Sequence, residues 1–129
     1  MTTRPISTPN APKPVAAYAQ GIVAGGFLFT AGQVGLDPAT GALVEGGLEA
    51  QTQRALDNIR AVVTAAGLSI ADIVKVTLYL TDMSKFPAVN ALYERFLEGH
   101  RPVRTTVGVS SLPGGSLVEV DAIATMPGH

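Results

Sequence analysis

RPVRTTVGVSSLPGGSLVEVDAIA, residues 101–124, holds two β-patterned runs separated by a Leu-Pro-Gly-Gly-Ser connection. Alternation with period two marks a strand whose two faces meet different surroundings. The segment therefore predicts strands over 105–111 and 117–126, joined as a hairpin through 112–116. Matching apolar to apolar sorts the faces of that hairpin. Val103, Thr105, Val107 and Val109 go with Val118, Val120, Ala122 and Ala124 toward the rest of the core, which leaves Arg104, Thr106, Gly108 and Ser110 opposite, with Glu119, Asp121 and Ile123. A purely structural hairpin has no need of Arg104, Glu119 and Asp121, and these charges are the candidates for chemistry.

Before this hairpin the period changes. Residues 82–99 place Asp82 and Ser84 as helix caps and Pro87 in the first turn. Phe86, Val89, Leu92, Tyr93 and Phe96 follow on one stripe, and Gly99 is the stop. Residues 72–80 alternate, with Val74, Val76, Leu78 and Leu80 on one side and Ile73, Lys75, Thr77 and Tyr79 on the other. Residues 47–66 carry Leu48, Ala55, Ile59, Val62 and Ala66 at helical spacing, with Gly67 as the terminating glycine. Asp37-Pro38-Ala39-Thr40-Gly41 is a turn. Residues 18–23 and 27–33 read as a hairpin broken at Gly25-Gly26. Residues 1–13, rich in Pro, Thr and Asn, predict an irregular arm with no share in the core. The order is ββαβαββ: an α+β fold in which two helices cover one face of a mixed sheet, as a single domain over 1–129.

Composition narrows the function. The chain has 129 residues, 47% of them hydrophobic, and a formal net charge of −1. That balance supplies no basic surplus for a phosphate backbone, so no nucleic-acid partner is expected. There is no cysteine, and the histidines are His100, beside a glycine, and His129, at the terminus. Thiolate zinc sites, disulfides and histidine-based nucleophile triads are thereby excluded, and a reducing, cytoplasmic setting is the expectation. The apolar window 15–31 is interrupted by Gly21, Gly25 and Gly26, so it predicts short strands rather than a membrane span. The sheet face away from the helices would hold Ile73, Tyr79 and Ile123 beside charges. It either meets water, as an antiparallel sheet can, or is covered by other copies of the chain.

Several segments in order resemble the RidA (YjgF) family of enamine/imine deaminases: Tyr18-Ala19-Gln20, Phe29-Thr30-Ala31-Gly32-Gln33, Asp37-Pro38-Ala39-Thr40-Gly41, Asp72-Ile73-Val74-Lys75-Val76-Thr77, Val89-Asn90…Tyr93-Glu94, Pro102-Val103-Arg104, Leu112-Pro113 and Val118-Glu119-Val120-Asp121-Ala122-Ile123-Ala124. The resemblance implies a chorismate-mutase-like fold and a homotrimer with clefts between subunits. It also implies hydrolysis of 2-imino acids to 2-keto acids and ammonia, with no metal or organic cofactor. Arg104 matches the family's carboxylate-binding arginine and suits a bidentate anchor. Glu119 matches its acid, positioning water and moving a proton. Tyr18 matches its site tyrosine, and Gly32, Thr106 and Ala31 line the substrate pocket. Asp121 has no such match and reads as a bystander, while Asn90 and Tyr93 read as packing or cleft rim. Three departures bear on substrate range. Ala16-Ala17 stands where the family has Gly-Pro, Ala31 where many members have serine, and Arg101 where common members have an aromatic residue. The alternative reading is a non-catalytic carboxylate-binding or protein-interaction module on the same fold. A ribonuclease sits poorly with the charge and the lack of a catalytic histidine.

Overall fold

The computed structural model describes residues 2–127. Its elements are β1 (Arg4–Ile6), β2 (Gly21–Ala24), β3 (Phe27–Thr30), α1 (Gly47–Ala65), β4 (Ile73–Leu80), α2 (Phe86–Leu97), β5 (Val103–Gly108) and β6 (Val118–Thr125). All six strands form one sheet in the order β1-β2-β3-β6-β4-β5, antiparallel except for the parallel pair β4–β5. The α+β expectation of two helices against a mixed sheet holds.

The hairpin of the last two strands does not form. β5 and β6 lie on either side of β4, and the 109–117 connection crosses the end of β4. There the Val109 N–H donates to Leu80 O at 2.8 Å, and the Thr81 N–H donates to Leu117 O at 3.2 Å. The physical reason is the helix between β4 and β5. A strand, a helix and a strand returning to the same sheet make a parallel crossover, which places β5 beside β4 and leaves β6 the other side.

This pairing reverses the faces of β5. Arg104, Thr106 and Gly108 stand opposite Val76, Leu78 and Leu80, the core residues of β4, and point to the helix side. Val103, Thr105 and Val107 stand opposite Lys75, Thr77 and Tyr79 on the open face, where Val103 is 65% exposed. In β6 the assignment stands: Val118, Val120, Ala122 and Ala124 are buried, while Glu119, Asp121 and Ile123 face outward. In β4 a bulge between Ile73 and Lys75 shifts the register, so that Ile73 rather than Val74 joins the core. The extra residue of a bulge flips the parity of everything before it.

α1 lays Ala55, Leu56, Ile59, Val62 and Val63 on the sheet, each fully buried. It ends as expected, with the Gly67 N–H on Thr64 O and the Leu68 N–H on Val63 O, a Schellman closure. The 1–13 arm is not irregular throughout, since Arg4–Ile6 adds an edge strand and Ile6 and Ala11 are buried. What holds it is the buried Gln20. Its amide oxygen accepts from the Thr8 N–H at 2.7 Å, and its Nε2 donates to the carbonyls of Thr8, Ala11 and Pro12. Period-based reading cannot see such a clamp, because it is made by one side chain and three backbone oxygens. The 15–31 window holds β2 and β3, and no helix among the described residues is long and apolar enough to cross a membrane. His129 lies outside the described residues.

Candidate functional site

Arg104 lies at the sheet edge beneath α2. Its Nη1 donates to Asn90 Oδ1 at 2.8 Å, and Asn90 Nδ2 in turn donates to Glu94 Oε1 at 3.1 Å. The guanidinium carbon stands 5.0 Å from the Phe86 ring centroid and 5.3 Å from that of Tyr93. Two aromatic faces and one amide thus restrict a side chain that would otherwise sample many rotamers, and they leave its remaining N–H groups for an anion. A groove of about 570 Å³ opens beside it, lined by Asn90, Tyr93, His100, Arg101 and Arg104 among others. The hydroxyl of Tyr93, which lines the groove, and that of Thr106 are buried with no hydrogen-bond partner among the described residues, and burial pushes the Tyr93 phenol up against the opposing pull of Arg104. His100 is spent on structure, its Nε2 lying 2.6 Å from Ile73 O as donor.

Glu119 lies on the other face of the sheet. Its neighbour is Gly32, where any Cβ would run into the Glu119 carboxylate. A side chain at this position would have to displace the flexible end of Glu119, so glycine is what lets the carboxylate lie against this loop. Gln33 fixes the distance by exchanging two backbone hydrogen bonds with Val120, at 2.7 and 2.9 Å. Half-buried there, the Glu119 carboxyl is pushed above the ordinary glutamate range, first by burial and then by the charge of Asp121. Asp121 accepts a 2.7 Å hydrogen bond from the Tyr79 hydroxyl. That bond, with burial and the two nearby carboxylates, pushes Tyr79 up to about 12.

Of the residues singled out from the sequence, the structure brings Gly32 to Glu119, and it places Thr106 on the same side of the same strand as Arg104. It does not bring Arg104 to Glu119. Within one chain they stand on opposite faces, which corrects the shared face expected from parity. Tyr18 follows the bend at 15–17, ahead of β2, and is 50% exposed, with its hydroxyl in no hydrogen bond among the described residues. Ala31 is half-buried and already commits its N–H to Gln20 O at 2.9 Å. Asn90 and Tyr93, read as packing or rim, are the holders of Arg104. The signal was available in the helical spacing of Phe86, Asn90 and Tyr93, which puts all three on one side of α2.

An edge-held guanidinium under α2 and a half-buried carboxyl against a glycine loop are thus carried by an α+β fold of two helices on a six-stranded sheet. The chain belongs to the RidA/YjgF family. Residues 8–126 match the family model described as Endoribonuclease L-PSP. A RutC family protein of Pyrococcus horikoshii is 48% identical, over 92% of this chain and 94% of its own. A 2-iminobutanoate/2-iminopropanoate deaminase of Salmonella typhimurium is 42% identical, over 95% of this chain and 97% of its own. The crystal structure of the YjgF gene product from E. coli superposes with a TM-score of 0.89 at 40% identity, covering 95% of this chain and 98% of that one.

Proposed function

We propose that this protein hydrolyses 2-imino acids to 2-keto acids and ammonia at a site completed by a second copy of the chain. The observation that carries the reading is the division of labour across the sheet. A guanidinium held ready for an anion lies under α2, and a half-buried carboxyl that retains its proton readily lies against Gly32 on the opposite face. The Salmonella relative named as an imine deaminase supports the same chemistry.

Arg104 holds the substrate carboxylate through two parallel charge-assisted hydrogen bonds, with Thr106 and Ala31 beside the pocket contributing small side chains. The iminium carbon needs no strong nucleophile. Water adds to it, forming the C–O bond as the C=N π pair moves to nitrogen, and Glu119 accepts the proton that water loses. Glu119 then returns that proton to the amine. The C–N bond breaks as the oxygen lone pair forms C=O, and the departing ammonia takes the hydroxyl proton and leaves as ammonium, with Glu119 ionised as at the start. No metal or organic cofactor enters these steps. Tyr18 closes the mouth of the pocket.

Two different patches, the α2 edge of one copy and the open face of the next, make a head-to-tail contact. Such contacts close into rings rather than into two-fold dimers. A trimer is the ring proposed, with Arg104 and Glu119 of each site coming from adjacent copies. The open face is apolar enough to be covered. Phe27 and Phe29 are each 42% exposed with ring centroids 6.3 Å apart, and Val103, Val107 and Ile123 share their side of the sheet. A cysteine-free chain suits the cytoplasm.

The test generates 2-iminopropionate in situ with an amino-acid oxidase and follows keto-acid release. Arg104→Ala and Glu119→Gln each lower the rate about a hundredfold or more, whereas the two variants unfolded and refolded together regain roughly a quarter of the wild-type rate, the share of interfaces that pair both intact residues. No acceleration by the wild type across several imino acids would sink the deaminase reading and leave a carboxylate-binding module. Acceleration without recovery on mixing would sink the shared site.

A further inference from the structure

Asp121 carries no role in the mechanism above, yet its side chain is not idle. In the β4–β6 register Tyr79 stands directly across from Glu119, and Thr77 across from Asp121. The Tyr79 hydroxyl nevertheless reaches diagonally and donates to Asp121 Oδ2 at 2.7 Å, leaving Glu119 without a hydrogen bond from it. Glu119 and Asp121 are two positions apart on one strand and therefore project to the same face. Two carboxylates so placed resist ionising together, and the one with a fixed donor keeps the charge.

The geometry points to Asp121, clamped by Tyr79, as a positioning residue for Glu119: the fixed charge on its neighbour makes Glu119 the carboxyl that carries the exchangeable proton. This deepens the deaminase reading and rests on it, since a group that first accepts and then returns a proton works best when it is poised near the operating pH.

The surroundings of Glu119 leave few competitors. β6 contributes Asp121, and β4 contributes Tyr79 and Lys75. The Lys75 ammonium is turned to β5, donating to Thr105 Oγ1 at 3.3 Å. The remaining open-face residues of β5 (Val103, Thr105, Val107) and β3 (Phe27, Phe29) do not titrate, and the neighbouring segment brings Gly32. A guanidinium from the adjacent copy would pull the Glu119 proton off, which makes the opposing charge of Asp121 more consequential in the assembled protein. A merely structural Tyr79–Asp121 pair would tie two strands together and leave the titration of Glu119 where it was.

The test is a carbon-13 NMR titration of glutamate side-chain carboxyls in the intact protein, with Glu119 assigned by its disappearance in Glu119→Gln. The pH profile of kcat/KM for an in situ imine is recorded alongside. Asp121→Asn is expected to lower the Glu119 midpoint by roughly half a unit or more, moving the acid limb of kcat/KM to lower pH. Tyr79→Phe is expected to lower it too, by less, because Asp121 without its donor competes with Glu119 for the proton. Should Asp121→Asn fail to fold, the sign of the Tyr79→Phe shift decides alone. An unmoved Glu119 midpoint, or a midpoint that rises in either variant, overturns the proposal. A midpoint that moves as expected while the pH profile of turnover stays put supports the pairing of Asp121 with Glu119 and overturns the catalytic use of it.

Discussion

β5 and β6 carry the same kind of alternation, yet β6 is arranged as its pattern suggests and β5 is arranged the other way round. β6 lies between β3 and β4, and α1 covers one of its faces, so its Val-x-Val-x-Ala-x-Ala side has a single place to go. β5 is an edge strand. Its valines face outward because α2 lies over the opposite side, where Arg104 spreads on Phe86 and Tyr93 and the absence of a side chain at Gly108 leaves room for Met83. Alternation shows that the two faces of a strand differ. Which face is the covered one depends on the neighbour, and at an edge that neighbour is chosen by connectivity.

The strongest way to break this contrast is at the edge itself. Arg104→Ala is expected to lower kcat/KM for imine hydrolysis by about a hundred- to a thousandfold, since it removes a paired ionic hydrogen bond. Arg104→Lys is expected to recover little, because an ammonium cannot reproduce the planar fork. Steady-state kinetics with the in situ imine checks both.

On the β6 side, Glu119→Gln is expected to cost about a hundredfold in kcat and to raise the melting temperature at neutral pH. The sign follows from a folded-state proton affinity above the unfolded one. Stability from this group is complete below the ordinary glutamate value near 4.5 and is lost as pH rises through the higher folded value. The amide escapes that loss, so calorimetry at pH 7 should favour the variant and calorimetry at pH 4 should not. A gain that persists at pH 4 would show that Glu119 does not carry the raised proton affinity.

Gly32→Ala tests the closeness of the glutamate to its loop. The added methyl meets the flexible end of Glu119 and displaces the carboxylate, so kcat is expected to fall about tenfold, with the secondary structure by circular dichroism unchanged. Asn90→Ala is milder. Phe86 and Tyr93 still hold the guanidinium, and the expected result is a KM raised by about a factor of five to ten with kcat nearly intact, the size of one ordinary lost hydrogen bond.

The smallest effect discriminates most cleanly between the two assignments of β5. Thr106→Val replaces a buried hydroxyl that has no partner and is expected to raise the melting temperature by a few degrees. Thr105→Val, on the open face, is expected to leave it within about one degree. The reverse pair of results would restore the valines of β5 to the core.

Much of this was legible beforehand. The helices announced themselves through the spacing of Ala55, Ile59, Val62 and their counterparts in α2, and the terminating Gly67 had no other use. The site residues were reachable through the family resemblance, because Arg104, Glu119 and Gly32 lie in short segments whose order is retained. Three features were hidden for physical reasons. The Gln20 clamp on the N-terminal arm depends on one amide meeting three carbonyls brought together by folding. The bulge at Ile73–Lys75 inserts a residue that no periodicity can register. The Tyr79–Asp121 bond is diagonal, between strands separated by 42 positions in the chain, so neither residue's own neighbours betray it.

The sequence by itself determined the elements, the family and the chemical vocabulary of one guanidinium and one acid, because periodicity and motif are properties of residues near one another in the chain. Only the tertiary structure decided that these two groups stand on opposite faces of the sheet. That outcome was set by where β4 goes: it enters between β5 and β6, pairs with both, and turns a parity argument about a hairpin into one about three strands.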